Sequence, residues 1–278
     1  MKMINPGVII LATALLVPGC IKTEKPTDYP DKPGTGEMVL VWSDEFDYNG
    51  LPNPAKWSYD IEGNATGWGN NELQYYTASR LKNAEVKEGY LYITAHLEEY
   101  EGFSYTSARL VTRQKGDWLY GRVEVKAKIP DGRGLWPAIW MLPTDWSYGG
   151  WPSSGEIDIM ENVGYDPYKI HGTVHTEAYN HTLGTQKGAS VNVQTCYTDF
   201  HLYALEWDTK EIRIYVDDNH YFTFKNEGTD YKAWPFDRRF HLLLNVAVGG
   251  NWGGQQGVDD SVFPRTMVVD YVRIYQNK

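Results

Sequence analysis

The stretch Gly121–Ile129, GRVEVKAKI, alternates without a break. Val123, Val125, Ala127 and Ile129 fall on one side, and Arg122, Glu124, Lys126 and Lys128 on the other. A period of two belongs to a β-strand with one face against a core and one toward water. Tyr90–Leu97, Glu211–Val216 and Met267–Tyr275 repeat the pattern, and Asp217-Asp218-Asn219 between two such runs predicts a hairpin turn. Beyond the leader no segment carries a sustained helical stripe, and turn signals recur at short intervals without an internal repeat. Chains of this pattern bury strand faces against strand faces. The sequence therefore predicts an all-β fold, a single two-sheet antiparallel β-sandwich over residues 38–278. A curved sheet also has a concave face, where alternate residues line a substrate groove while the others fill the core.

The ends of the chain read differently. MKMINPGVIILATALLVPGC has one early lysine, an apolar run from Gly7 to Val17 and small or turn residues before Cys20. It is a secretory leader, too short and too weakly flanked to span a bilayer. Val17-Pro18-Gly19-Cys20 resembles a bacterial lipobox, which implies cleavage after residue 19 and lipidation of Cys20. Ile21 follows, not the aspartate that marks inner-membrane retention, so the expectation is an outer-membrane lipoprotein at the cell surface. Residues 20–37, rich in Pro, Gly and charge, read as a flexible tether. With Cys20 lipidated, Cys196 has no partner, and the core must hold the domain without a disulfide framework. The net charge of −10 and the lack of any basic stripe exclude a nucleic-acid role. The expected state is a monomer touching the membrane through its lipid alone.

SSGEIDIMENVGYD, Ser153–Asp166, concentrates three acids. Glu156 and Asp158 share a strand face with Ile157 and Ile159 on the other, but Glu161 is out of phase. A β-bulge near Met160 restores its direction by absorbing one residue, and bulges recur beside active sites. Glu161 is then four effective steps from Glu156, about 13 Å along the backbone at about 3.3 Å per step. Two glutamate side chains leaning inward leave about 5–6 Å between carboxyls, against about 5–5.5 Å for retaining and about 6.5–9.5 Å for inverting glycosidases. Acids this close raise at least one another's pKa, which a general acid at neutral pH requires. One glutamate then attacks, one protonates the leaving oxygen, and Asp158 modulates both; spacing alone leaves open which glutamate does which. The alternatives are a solvated acidic edge or a calcium site, although isoleucine alternation argues for a strand.

Other candidates surround the acids. Trp136 and Trp140, in GRGLWPAIWMLP, share a strand face and suit stacking on the apolar faces of sugars. Trp252, in GGNWGG, has little core nearby and reads as a sugar platform. GWGNNELQYYT brings amides and aromatics suited to hydroxyls. Arg109, in YTSARLVT, is either a groove donor or a buried ion-pair partner. His171 and His175 share a face but lack a third zinc ligand at suitable spacing. No G-x-S-x-G, H-E-x-x-H or Walker stretch appears.

GEIDIMENVG resembles the E-x-D-x-x-E signature of glycoside hydrolase family 16. The likeness extends through VWSDEFD, WGNNELQYYT, SARL, GLWPAIWMLP, HGTVHT, FHLYALEW, NVAVGGNWGG and VDYVRIYQ. It looks like the laminarinase-like branch; lichenases and xyloglucan transglycosylases carry a shorter, unbulged E-x-D-x-E. The resemblance implies a β-jelly roll with an open cleft and a retaining endo-β-glucanase acting on β-1,3 or mixed β-1,3/1,4 glucans. It assigns Glu156 as nucleophile, Glu161 as acid/base and Asp158 as assisting acid. It implies sugar contacts at Asn70, Arg109, Trp136, Trp140, His175 and Trp252. No cofactor is implied for catalysis. A structural calcium is implied on the convex side, at Asp270 with backbone oxygens near Gly89 and the Glu45–Asp47 stretch. Two competing readings are a non-catalytic surface glycan-binding protein, whose expected mark is a missing acid, and an enzyme for red-algal galactans, whose sulfated substrates want a basic cleft.

Overall fold

A computed structural model describes residues 37–278. The leader, Cys20 and all of the expected tether but Glu37 lie outside the described residues. Among those described, the strands form one ten-stranded and one eight-stranded sheet. The eight-stranded sheet runs, edge to edge, Lys187–Asn192, Lys169–His175, Glu156–Glu161, Leu135–Pro143, Phe240–Val248, Arg109–Val111 and Ser58–Tyr59, with Asp117–Trp118 also paired to Phe240–Val248. The ten-stranded sheet centres on Gly121–Lys128, Arg265–Asn277 and Tyr90–Tyr100, and carries the hairpin of Glu211–Val216 with Asn219–Lys225 at one end. Pairing is antiparallel apart from the short Gln74–Tyr76 strand, which lies parallel to Phe103–Ser107. This is the sandwich that the alternation predicts.

Phe240–Val248 shows how the layers are made. Phe240, Leu242, Leu244, Val246 and Val248 enter the main core with the inward faces of both sheets. Each such side chain contributes roughly 1.5–3 kcal/mol by leaving water. The alternate residues Asn245 and Ala247 line a cleft on the concave face. One strand thus serves the core and the groove with successive residues.

One expectation needs correction. Arg122 and Glu124, assigned to a solvated face, are buried. Their strand is interior, between His201–Trp207 and Arg265–Asn277. Arg122 donates to Glu124 at 2.6 Å and to Glu206 at 2.9 Å, and Glu206 also accepts from Arg213 and Tyr215. Neighbouring long side chains enclose the charges, and pairing offsets their desolvation. Sequence alternation identifies the two faces of a strand but not what covers the second.

Candidate active site

The acidic strand Glu156–Glu161 is irregular in the expected place. On one side Glu156 opposes His175, Asp158 opposes Thr173 and Glu161 opposes His171, with two residues, Ile159 and Met160, against the single Gly172 between the last pairs. On the other, Asp158 and Met160 oppose the adjacent Trp140 and Ile139. Ile159 is therefore the extra residue of a β-bulge. Ile157, Ile159 and Met160 are all fully buried in the core. Two successive side chains point inward, and Glu161 returns to the concave side. Glu156, Asp158 and Glu161 line one cleft of about 490 Å³ with Trp136, Trp140 and Arg109.

Asp158 and Glu161 are buried, and the three acids bring like charges together. Burial first, then the Glu161 charge, pushes Glu156 up to about 8, against the pull of Arg109 and a hydrogen bond from Trp151. Burial takes Glu161 up to about 7, opposed by the Trp136 indole, which donates to its Oε1 at 2.9 Å. Asp158 is driven well above the usual carboxylate range by burial and then by both glutamates. Such a group titrates as a unit. A proton held on Asp158 removes one of three like charges from the strand.

His175 Nε2 stands 3.4 Å from Asp158 Oδ2 and 3.7 Å from Glu156 Oε1. Burial pushes this imidazole down to about 4, so it is neutral at pH 7. Glu156, Asp158 and His175 each offer a donor atom within 4.8 Å of the others. Acid and nucleophile chemistry would use those same oxygens for a proton and a sugar carbon. Arg109 is a buried ion-pair partner that also lines the cleft. Its Nε lies 3.2 Å from Asp60 Oδ2, and its guanidinium sits 4.4 Å from the Trp68 ring and 4.7 Å from the Trp140 ring. Held between two indoles, it presents a fixed cation to the cleft.

A sandwich with this acidic strand invites comparison with known proteins. The profile described as "Glycosyl hydrolases family 16" matches residues 65–273. The chain belongs to glycosyl hydrolase family 16. It is 61% identical to a β-glucanase of Rhodothermus marinus over 244 residues, 85% of each chain. The crystal structure of the laminarinase from Rhodothermus marinus superposes with a TM-score of 0.85 at 59% identity, covering 88% of this chain and 100% of that one. A variant of a non-specific endo-β-1,3(4)-glucanase of the family, co-crystallised with 1,3-β-D-cellotriosyl-glucose, gives a TM-score of 0.84 at 48% identity, covering 87% of this chain and 95% of that one.

In this family 16 enzyme, Asn70, Arg109, Trp136 and Trp140 line the acid-bearing cleft. Trp252, read as a sugar platform, is half-buried. It wedges edge-on between Trp136, at 5.4 Å, and His171, at 5.0 Å, and stands beside the cleft lining. The glycine-rich loop folds back onto the Trp136 strand, with the Asn251 amide donating to the Asn70 carbonyl at 2.6 Å.

Glu72, Asn245, Trp151 and His181 also line the cleft and carried no assignment from the sequence. Glu72 is buried and accepts from Gln74 at 2.7 Å, Tyr76 at 3.3 Å and Asn70 at 3.4 Å. Asn245 donates to Tyr76 Oη at 3.0 Å and accepts from Trp140 Nε1 at 2.7 Å. This network fixes Trp140 and the Asn70 loop together. A lone amide within FHLLLNVAV was a legible signal for Asn245, because an apolar strand tolerates a buried amide only with partners. Trp151 and His181 come from separate loops and meet at 4.9 Å between ring centroids, a pairing with no sequence pattern.

Proposed function

We propose that this family 16 enzyme is a retaining endo-β-glucanase that hydrolyses β-1,3- or mixed-linkage β-1,3/1,4-glucans. The observation that carries the reading is the bulged strand, which turns Glu156, Asp158 and Glu161 into one indole-lined cleft. In the first step Glu156 attacks C1 and the C1–O bond breaks. Its electron pair goes to the leaving oxygen, which takes the Glu161 proton. In the second, Glu161 removes a proton from water, which displaces Glu156. Asp158 and His175 bracket the nucleophile, and the indoles offer stacking faces to neutral pyranoses. Among the described residues the cleft lining has no cluster of cations for sulfated galactans, and Arg109 is tied to Asp60. The test sizes oligosaccharides released from laminarin and barley β-glucan. Early mixed-length products with retained anomeric configuration are expected. Glucan binding without new reducing ends would establish the binding-protein alternative instead.

A structural calcium is proposed on the convex side. Strand register supports the reading. Val269 opposes Leu91, which sets Asp270 beside Tyr90 and Gly89, and Asp44 opposes Val272 on the other flank, which sets Asp270 beside Glu45–Asp47. Gly89 takes a φ of 80° in its turn, and the pairing of Arg265–Asn277 with Gly121–Lys128 is irregular at Asp270. One carboxylate with several carbonyls is a hard-oxygen set that suits Ca²⁺, although Lys126 already approaches Asp270 Oδ2 at 3.4 Å. Calcium would fasten three chain segments far from the acids. Addition of Ca²⁺ should raise the Tm of chelator-treated protein, and Asp270→Ala should abolish that gain; an unchanged Tm argues against the site.

Anchoring at the outer membrane through Cys20 is proposed from the leader alone. Labelled palmitate should enter the wild-type chain and not Cys20→Ala in a bacterial host; equal labelling would remove the anchor.

A further inference from the structure

Glycine is an unexpected residue for the middle of Lys169–His175. Ile170 and Val174 of that strand fill the core, and Gly172 lies between them on the same face. It is also the single residue opposite Ile159 and Met160 at the bulge of the acidic strand. Glycine inside a strand weakens it, and marks a bulge, a bend or a close approach from elsewhere. Here the approach is on the core side: a Cβ would stand 2.6 Å from Tyr221 Oη and 3.1 Å from Ile214 Cδ1. A phenol from the ten-stranded sheet takes the place of the missing side chain.

Tyr221 arrives there through an irregularity of its own. In the hairpin of Glu211–Val216 with Asn219–Lys225, Phe222 opposes Ile214 and His220 opposes the next residue, Tyr215. Tyr221 is therefore the surplus residue of a second β-bulge. Bulges re-aim the side chains they carry, and this ring packs against the core. Its hydroxyl is buried and has no hydrogen-bond partner. An unmatched buried hydroxyl costs about 1–3 kcal/mol, and phenylalanine would fill most of the same space without that cost. After burial, the charges of Glu161 and then Asp158 push the phenol further up, so both acids act on it from the other side of their sheet. Two bulges, one in each sheet, face each other across the core with Tyr221 between them.

The contact bears on Glu161. That residue ends the bulge and opposes His171, the chain neighbour of Gly172, whereas Glu156 opposes His175 on the regular part of the strand. A general acid must hold its proton within about 2.6–3.2 Å of the oxygen that receives it. A shift of Gly172 by a few tenths of an ångström passes through the strand pair to the bulge and turns Glu161 off that line. We propose that Tyr221 is a positioning residue for Glu161, a strut from the opposite sheet whose hydroxyl seats Gly172 and so fixes the bulge that aims the acid. The proposal rests on the glucanase reading above, in which Glu161 is the acid, and adds a residue outside the cleft lining that sets its aim.

The test uses aryl β-laminaritriosides whose leaving groups run from 2,4-dinitrophenol to phenol. A good leaving group departs without a proton and a poor one needs Glu161, so the fall of kcat/KM along the series measures how well the acid is aimed. Tyr221→Phe should lower kcat/KM about tenfold on the phenyl glycoside and by less than about twofold on the dinitrophenyl glycoside. Its Tm should hold or rise, because the hydroxyl it removes is unmatched. Equal changes on the two glycosides would overturn the proposal and leave Tyr221 a packing role. On laminarin, Gly172→Ala should lose activity, and adding Tyr221→Phe to it should restore severalfold, since the added methyl then meets no hydroxyl. No loss, or no restoration, would overturn the proposal as well. A wild-type chain inactive on laminarin and on the aryl glycosides alike would overturn the glucanase reading first, an outcome distinct from these.

Discussion

Glu156→Ala and Glu161→Ala are each expected to lower turnover of laminarin or barley β-glucan by about 10⁴-fold or more, while the protein stays folded. The side chains face a cleft and not the core, so truncation removes a reacting group without opening a packing void. The two losses differ in kind. Without Glu156 no covalent intermediate forms, and a small anion such as azide, entering the vacated space, should attack C1 directly and give a product of inverted configuration. Without Glu161 an activated aryl substrate still forms the intermediate, and azide should intercept it to give a product of retained configuration. NMR of the azide adducts reads the two outcomes. Retained configuration from the Glu156 variant, or more than a few per cent of wild-type turnover in either, would refute the assigned roles.

The second large effect is on stability. Glu156, Asp158 and Glu161 are all raised, burial being the first cause, with Glu161 at about 7. An unfolded glutamate titrates near 4.3. Between that value and the folded one, the folded chain holds protons that the unfolded chain has released, so stability falls as pH rises through the window. Below it both states are protonated and the penalty vanishes. Glu161→Gln removes one titration and keeps an oxygen to accept from Trp136. We expect this inactive variant to exceed the wild type in Tm by about 5 °C or more at pH 8, from a few kcal/mol, and to match it near pH 4. Calorimetry at the two pH values decides. A pH-independent difference would mean that the clustered acids carry no such cost.

What could be read from the sequence divides along physical lines. Strands with one apolar face were legible because alternation is local: Glu211–Val216 has the expected bounds, and Gly121–Lys128, Tyr90–Tyr100 and Arg265–Asn277 differ only at their ends. The bulge followed from the phase of Glu161 against its isoleucines. Residues made functional by tertiary meetings were not legible. Glu72 is one acid among many until Gln74, Tyr76 and Asn70 surround it, and Trp252 looks exposed until its loop folds onto Trp136. The burial of Arg122 and Glu124 belongs with these, since strand order across the sheet sets it.

Ile159 carries a consequence for how such enzymes diversify. Because the surplus residue is swallowed on the oily side, the strand can gain or lose one position there without rotating the catalytic groups that follow. The reach between the two glutamates stays at four effective steps either way. Loss of a single codon at this point therefore leaves the working gap in register and is not a frame slip. It offers evolution a tolerated change of length where the rest of the strand would offer only a break.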